Sequence, residues 1–213
     1  MLKLIRAHIA IVLRTLHFPL YHPLVFDSLR KRGFEISFSP PPAPLGLKLY
    51  PGGEVARKGM CSVFLNPDKK IIACESTSLN EAINASKEVL EMCKEDFNVG
   101  EQEFDYYETI LKYIAKPMKP PLEIIRGREW GTLYDKVSEV LGMKLYPYVI
   151  SFVPAESTPK DVEWLDVRFY PDPAILDVFT VEVVYRSKRI ENVFSFIEQA
   201  EDNIQRIIRI LEE

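Results

Sequence analysis

The segment Cys61–Cys74, CSVFLNPDKKIIAC, has the pattern of a β-hairpin and therefore indicates an antiparallel sheet. Two runs of apolar residues flank a turn that contains Pro67. Proline holds φ near about −65°, so it disfavours two-residue turns of types I′ and II′ and favours a three-residue loop, Pro67–Lys69. In that register Ser62 faces Cys74, and the two cysteines lie on opposite faces of the sheet.

The same register predicts apolar side chains on both faces of the hairpin. Helices can cover only one face of a single-layer sheet, so the second apolar face would be buried by a partner copy or by the other half of the chain, or it would be an apolar binding surface. The first set of side chains is Phe64, Ile72 and Cys74, and the second is Cys61, Val63, Leu65, Ile71 and Ala73.

The three cysteines, Cys61, Cys74 and Cys93, are expected to be small buried apolar side chains. A disulfide remains an alternative, because some proteins of thermophiles carry disulfides inside the cell. The chain has only three glutamines and six asparagines but many Glu, Lys, Arg and Ile residues, which resembles the composition of a thermophile protein. No C-x-x-C motif is present, so we expect no metal and no cofactor.

The chain contains an internal repeat. FEISFSP (Phe34–Pro40) matches YVISFVP (Tyr148–Pro154), and three further matches follow in the same order at offsets of 117 to 120 residues. These are Leu47–Gly52 with Val167–Asp172, Lys69–Ile71 with Lys188–Ile190, and Ser78–Ile83 with Ser195–Ala200. The order of the matches indicates a duplication.

Each half is predicted to have the order β-α-β-β-β-β-α. The first helix of each half ends before a glycine, Gly33 or Gly142, and the last begins at a capping serine, Ser78 or Ser195, with a glutamate three residues later. The predicted strands are Arg6–Leu16, Phe34–Ser39, Gly46–Tyr50, Met60–Asn66 and Lys70–Glu75, then Leu122–Arg126, Tyr148–Val153, Leu165–Tyr170, Phe179–Tyr185 and Arg189–Val193.

An additional helix is predicted between the halves, over Phe104–Ile114, because apolar residues recur there at helical spacing. The proline-rich segment Lys116–Pro121 follows, where a helix cannot continue. We therefore place the boundary between residues 1–116 and residues 117–213. The predicted fold class is α+β, a mostly antiparallel sheet with helices on one face.

Two tandem copies of this order resemble the saddle of the TATA-box-binding protein family. The resemblance implies a concave sheet face that contacts the DNA minor groove, with phenylalanine pairs that wedge between base steps. The corresponding loops here, Ser39–Gly46 and Ala155–Glu163, contain no phenylalanine. No site residues are therefore carried over from the family.

The basic pairs Lys69–Lys70 and Lys188–Arg189 fall at equivalent predicted hairpin tips. They are our candidate nucleic-acid contacts, one pair for each half. The alternative is that charged turn residues serve only solubility. The net charge of −4 gives no general attraction for nucleic acid.

The first hypothesis is a non-enzymatic binding or assembly module that engages a protein partner, itself or nucleic acid through a sheet face. The rival is an enzyme or small-molecule-binding protein with a site in the cleft between the halves. No G-x-S-x-G, P-loop or H-E-x-x-H motif is present, so the sequence gives no direct indication of catalysis. Whether the chain is an enzyme stays open. The rival's candidate residues are His8, His17, His22, Arg126, Arg128 and Arg168.

The N-terminal segment is apolar but does not predict membrane insertion. Arg6, His8 and Arg14 interrupt it, no small-residue cleavage site follows, and no uncharged apolar run reaches the length of a membrane span. We therefore expect a cytoplasmic protein that does not bind membranes.

Overall fold

A computed structural model describes residues 1–15, 20–37 and 53–213 of the chain. The strands are β1 (Leu2–Leu13), β2 (Glu35–Ile36), β3 (Gly53–Lys58), β4 (Cys61–Asn66), β5 (Ile71–Ser76), β6 (Phe104–Ala115), β7 (Ile150–Phe152), β8 (Trp164–Pro171) and β9 (Phe179–Ser187). The α-helices are α1 (Pro23–Lys31), α2 (Leu79–Glu91), α3 (Pro121–Arg126), α4 (Thr132–Leu141) and α5 (Ile190–Glu212). The fold class is therefore α+β, as the sequence predicts.

Some predictions lie outside the described residues. They are the strand Gly46–Tyr50, the repeat segment Leu47–Gly52, the loop Ser39–Gly46, the C-terminal ends of the strands Phe34–Ser39 and Arg6–Leu16, and His17.

In the described residues the nine strands form one antiparallel sheet in the order β2-β3-β4-β5-β1-β6-β9-β8-β7. The long strands β1 and β6 pair at its centre, and Ala10 of β1 lies between Ala73 of β5 and Glu108 of β6. The sheet is open, with β2 and β7 at its edges.

The prediction of a helix over Phe104–Ile114 is wrong, because this segment is the central strand β6. The apolar residues at 104, 107 and 111 fit both a helix and a strand. From Tyr107 onward, alternate residues are buried, and the segment is rich in aromatic and β-branched side chains, which favour a strand. The buried residues are Tyr107, Thr109, Leu111, Tyr113 and Ala115. The boundary between residues 116 and 117 stays a prediction.

Two predicted strands are helical. Leu122–Arg126 lies in α3, which begins at Pro121. Proline is well suited to the first position of a helix, because the N–H that it lacks would have no partner within the helix there. Arg189–Val193 overlaps the first turn of α5, so the predicted cap Ser195 lies inside that helix. Both segments are rich in branched apolar residues, which short strands and buried helices share.

The predicted cap Ser78 is confirmed at the start of α2. Its hydroxyl accepts a hydrogen bond from the backbone N–H of Glu81 at 3.5 Å. The Glu81 carboxylate accepts a hydrogen bond from the backbone N–H of Met60 at 2.7 Å, so it ties α2 to the β3–β4 turn.

The hairpin loop has four residues, Pro67–Lys70, and the predicted three-residue loop is wrong. Lys70 has a φ of +56°, and the Asn66 side chain accepts a hydrogen bond from the backbone N–H of Lys69 at 3.0 Å. Asn66 therefore faces Ile71, and Val63 faces Cys74. Cys61 and Cys74 lie on the same face of the sheet, both buried as free thiols.

This register also corrects the prediction of two apolar faces. The buried core face of the hairpin carries Cys61, Val63, Leu65, Ile72 and Cys74. Its other face alternates polar and apolar residues, namely Ser62, Phe64, Asn66, Ile71, Ala73 and Glu75. We call this side of the sheet the open face.

The core lies between the sheet and four of the helices. Side chains of α1, α2, α3 and α5 join one apolar cluster with the strand residues opposite the open face. Ile9 of β1, Leu29 of α1 and Ile197 of α5 are fully buried in it. Helix α4 contributes no buried residue.

Candidate functional site

The predicted contacts Lys69 and Lys70 lie at the tip of the β4–β5 hairpin, as expected from the sequence. The Lys70 ammonium donates a hydrogen bond to the backbone carbonyl of Arg14 at 2.6 Å, which fixes the loop against the end of β1. Lys69 is exposed.

Lys188 and Arg189 do not occupy a hairpin tip, so the predicted equivalence is wrong. They connect β9 to α5. The backbone N–H of Lys188 donates a hydrogen bond to Glu163 at 2.9 Å, and the Arg189 guanidinium lies 3.8 Å from Glu191. The Glu191 carboxylate therefore offsets the charge of Arg189, whereas the contact of Lys188 with Glu163 involves only the Lys188 backbone.

The two basic pairs nevertheless lie at the same end of the sheet. Leu13 of β1 pairs with Phe104 of β6, and Tyr107 pairs with Ser187 at the end of β9. Three strand intervals separate β5 from β9, which is about 14 Å. Their role as nucleic-acid contacts stays a prediction.

The two histidines in the described residues, His8 and His22, do not converge. His8 Nδ1 lies 3.2 Å from the Glu75 carboxylate on the open face. His22 caps α1 by accepting a hydrogen bond from the backbone N–H of Leu24 at 3.3 Å. Among residues 1–15, 20–37 and 53–213, no three His, Cys, Asp or Glu side chains form a group that could hold a metal ion.

The three arginines of the rival hypothesis are also separated. Arg126 and Arg128 line a cavity of about 440 Å³ beside Trp130, and Arg128 Nε donates a hydrogen bond to the carbonyl of Leu211 at 3.1 Å. Arg168 lies on the open face, 2.5 Å from Asp166. The hydrogen bond and ion pair raise the pKa of Arg168, so it stays charged.

Most basic side chains on the open face are paired with carboxylates, and Lys3 is the exposed exception among those described. The guanidinium of Arg186 contacts Glu108 at 2.6 Å, and the ammonium of Lys112 lies 3.5 Å from Glu182. Arg57 at the outer strand β3 contacts Glu54 at 2.7 Å. A face with paired charges attracts phosphate weakly, because each cation is already neutralised.

A cavity of about 420 Å³ lies on the open face where β1, β5 and β6 run side by side. Arg6, Ser62, Glu75 and Lys112 are its polar lining. Arg6 lies 3.9 Å from Glu75. The cavity can therefore accept a small charged molecule between neighbouring acid and base groups.

The surface that sequence reasoning missed is formed by α4 and the segments after it. Of the seventeen exposed large apolar side chains in the described residues, eleven lie between Leu133 and Leu176, so the exposed apolar surface is concentrated there. Its α4 members are Leu133, Val137, Val140 and Leu141, and Val140 is 84% exposed. The helix was predicted, but a helical stripe does not reveal whether anything packs on it.

The flank of α4 that carries Tyr134 and Ser138 makes local contacts. Ser138 Oγ accepts a hydrogen bond from the backbone N–H of Leu145 at 2.9 Å and donates one to the carbonyl of Tyr134 at 2.7 Å. The Tyr134 ring makes an edge contact with Trp130. The Ser138 bonds lie within α4 and its C-terminal end, the Tyr134–Trp130 contact joins the helix to the preceding segment, and the apolar stripe stays exposed.

An apolar groove of about 270 Å³ lies between α5 and the strands β8 and β9. Leu165, Val167 and Val183 form its floor, and Phe196 and Ile207 of α5 form one wall. Val167 and Val183 are buried, and Leu165, Phe196 and Ile207 are half-buried, so the groove exposes only part of its apolar lining.

In the described part of the chain, no helix combines the length and the apolar composition needed to cross a membrane. A scan against protein-family models finds no match, and a search of curated proteins finds none.

Proposed function

We propose that this chain is a non-enzymatic assembly module that binds another protein chain through the apolar surface of α4 and the segments that follow it. The observation that carries the proposal is that α4 has an apolar stripe and no buried residue. Large exposed apolar patches mark protein interaction sites. This surface is a better candidate than the open face, where charges are paired.

The length of α4 supports the same conclusion. The helix has ten residues, and isolated helices shorter than about 12–15 residues are marginal in water. Within the described residues, no α4 side chain is buried against its own chain. Cover from a partner over the apolar stripe would supply the packing that such a short helix needs.

Hydrogen exchange of the α4 backbone, measured together with the mass of the chain by sedimentation equilibrium, tests this function. We expect the amides of residues 132–141 to be protected in an assembled state and to exchange quickly once dilution separates the chains. The variant Val140→Ser/Leu141→Ser should lose this protection, while the amides of α1 stay protected in all samples. Leu24→Ser, at an exposed apolar position on α1, is the matched control.

A monomer with fully protected α4 amides at about 100 µM would overturn the proposal, because α4 would then be covered by its own chain. A monomer whose α4 amides exchange quickly would mean that the apolar surface is uncovered and accessible to a different protein partner.

A second candidate function is small-molecule binding in the cavity on the open face. It is supported by the acid and base groups Arg6, Glu75 and Lys112 around this space. Calorimetric titration with inorganic phosphate and with putrescine tests it. Phosphate binding that Lys112→Met removes, or putrescine binding that Glu75→Gln removes, would favour this function over assembly alone, provided that the exposed-site control Lys3→Met keeps it.

Two tandem halves and a saddle like that of the TATA-box-binding family remain part of the proposal. With the start of the second half moved from residue 117 to β6, the orders β1-α1-β2-β3-β4-β5-α2 and β6-α3-α4-β7-β8-β9-α5 support a duplication, since each begins with a central strand and ends with a long helix. Among the described residues, the second half has one strand fewer and one helix more than the first. Paired charges on the open face disfavour DNA kinking as its role.

We also propose a cytoplasmic location. The three cysteines are free and buried, which suits a reducing compartment.

A further inference from the structure

The cavity beside Trp130, of about 440 Å³, is built from three neighbouring segments of the chain. They are the end of α3 with the connection that follows it, the first turn of α4, and the segment after α4. We call this space the tryptophan cavity. Sites for small molecules have volumes of about 300–1,000 Å³, so it is large enough to hold one.

The tryptophan cavity carries cations that are not paired with carboxylates. Arg126 and Lys144 are exposed at its wall, and neither forms an ion pair within the described residues. Arg128 donates hydrogen bonds to the backbone carbonyls of Ile210 and Leu211, which are neutral partners that leave its charge in place. These three cations therefore differ from most of those on the open face, which contact carboxylates.

Two carboxylates at the wall restrict the ligand that fits. Glu129 and Asp135 line the cavity, so three cationic side chains face two anionic ones. The net positive charge favours a ligand with about two negative charges, such as a phosphate monoester, over a neutral or zwitterionic molecule. The carboxylates can accept hydrogen bonds from hydroxyl or amino groups of the same ligand.

Aromatic rings form the rest of the wall. The Trp130 indole donates a hydrogen bond from Nε1 to the carbonyl of Ile125 at 2.6 Å, and Ile125 is buried in the core. The Tyr134 ring meets the indole edge-on at 6.5 Å between ring centroids, and the Lys144 ammonium lies 5.4 Å from the centre of the Tyr146 ring. Trp130 is half-buried, so part of a firmly held indole is available for a planar ring to stack on.

We propose that the tryptophan cavity binds a nucleoside phosphate. The phosphate contacts Arg126 and Lys144, since a guanidinium binds phosphate through two parallel hydrogen bonds and an ammonium binds it as a point charge. The base stacks on Trp130, and hydroxyl groups of the ribose or an amino group of the base donate to Glu129 and Asp135. This binding site goes beyond the proposed assembly function and uses none of the apolar-stripe residues of α4.

The surroundings favour a single nucleotide over a strand of nucleic acid. A protein that binds single strands needs a basic groove that continues along the backbone of the strand. Next to the tryptophan cavity, α4 instead presents its exposed apolar stripe, and the chain has a net charge of −4. The cavity therefore has the size and the charge for one nucleotide.

Titration calorimetry of the full chain with four ribonucleoside monophosphates, their nucleosides and inorganic phosphate tests the proposal. We expect the best nucleotide to bind at least about 10-fold more tightly than its nucleoside and than phosphate, because only the nucleotide engages both the ring and the cations. Tryptophan fluorescence should change over the same concentration range, since Trp130 lines the cavity, and the second tryptophan, Trp164, is buried elsewhere.

Single variants locate the binding. Arg126→Met and Lys144→Met should each weaken nucleotide binding by at least about 10-fold and leave nucleoside binding unchanged, because each removes a charged contact to the phosphate. Both positions are exposed, and circular dichroism checks that the variants fold. Lys136→Met is the matched control, since Lys136 is an exposed lysine of α4 outside the cavity, and Lys112→Met controls for the cavity on the open face. Both controls should bind the nucleotide as the wild type does.

Four outcomes would overturn the inference. The first is that none of the nucleotides binds at about 1 mM, and the second is that phosphate alone binds as tightly as the best nucleotide. The third is that Arg126→Met and Lys144→Met bind normally or that Lys112→Met abolishes binding, which would place the ligand in the open-face cavity. The fourth is that a single-stranded oligonucleotide of about ten residues binds at least about 100-fold more tightly than every mononucleotide, which would indicate a strand as the ligand. The assembly function is tested separately by the α4 amides, so it stands or falls independently.

Discussion

Arg186 holds the carboxylate of Glu108 through two nitrogen atoms, with Nε at 2.9 Å and Nη2 at 2.6 Å from Oε2. The pair joins β9 to β6 on the open face, and both side chains are 18% exposed. The same guanidinium donates to the carbonyl of Pro159 at 3.1 Å and lies over the ring of Tyr106. One arginine therefore fastens the β7–β8 connection to the centre of the sheet.

Replacing this arginine should destabilise the fold. We expect Arg186→Met to lower the free energy of unfolding by about 2 kcal/mol, because Glu108 would be left mostly enclosed without its partner. Arg30→Met removes an exposed pair with Asp27 and should change stability by less than about 0.5 kcal/mol. Urea unfolding of both variants measures the difference, and equal effects would contradict this role for Arg186.

The replacement of Tyr113 by phenylalanine is expected to stabilise the protein. Its hydroxyl is buried under the helices with no hydrogen-bond partner in the described residues. Tyr113→Phe should therefore raise the free energy of unfolding by about 1 kcal/mol, since it removes an unsatisfied polar group. The matched change Tyr170→Phe should lower it by a similar amount, because that hydroxyl donates to Glu182 at 2.9 Å. Loss of stability in Tyr113→Phe would show that its hydroxyl has a partner.

The cysteines should resist modification in the native state. All three are buried. The hydrogen bond with Cys61, together with burial, raises the pKa of Cys74, and burial raises the pKa of Cys93 to about 12. Thiolate, the reactive form, is therefore scarce at Cys74 and Cys93 at about pH 8, whereas the hydrogen bond with Cys74 lowers the pKa of Cys61 and only burial protects that thiol. A colorimetric thiol reagent should react slowly with the native chain and label three thiols after unfolding. Immediate native labelling, or fewer than three thiols in the unreduced unfolded chain, would disprove this.

The Arg32–Asp96 pair should make stability depend on pH. Arg32 Nη1 lies 2.5 Å from Asp96 Oδ2, and this hydrogen bond lowers the pKa of Asp96. A lowered folded-state pKa gives stability that is present above the unfolded pKa of about 3.9 and is lost as pH falls through the folded value.

The variant Asp96→Asn measures this effect. It should cost about 1 kcal/mol or less near pH 6, and the difference from the wild type should shrink toward pH 2. Arg32→Gln should remove the same pH-dependent contribution. A cost for Asp96→Asn that is equal at both pH values would refute the ion pair as the cause.

If the chain bound nucleic acid through phosphate contacts, its affinity would fall as the salt concentration rises. We do not expect to observe such binding. With paired charges on the open face and a net charge of −4, binding to random duplex DNA at about 0.15 M salt should be weaker than the usual nonspecific range of 10⁻⁴–10⁻⁶ M. Fluorescence anisotropy with a salt titration measures this. Binding with a log–log slope steeper than about −0.9 that falls when Lys69, Lys70, Lys188 and Arg189 are neutralised would restore the hypothesis.

Patterns of a few neighbouring residues predicted the parts of the fold that depend on interactions between residues close in sequence. The cap at Ser78, the helices α1 and α4 and the hairpin around Pro67 follow from side-chain hydrogen bonds, glycine positions and apolar spacing within a few residues. The loop length was missed because Lys70 adopts a left-handed conformation that its residue type does not indicate. That single residue moved Cys61 and Cys74 onto one face.

By itself, the sequence determined the α+β class, the absence of a recognisable catalytic motif and the amphipathic stripe of α4. Only the tertiary structure decided that Phe104–Ala115 is a strand, because its apolar spacing fits both states until β1 and β9 pair with it on either side. Only the tertiary structure placed basic residues of the open face beside carboxylates from neighbouring strands. It also left Val140 in solvent while Leu29 was buried, since burial depends on what packs against a helix and not on the helix itself.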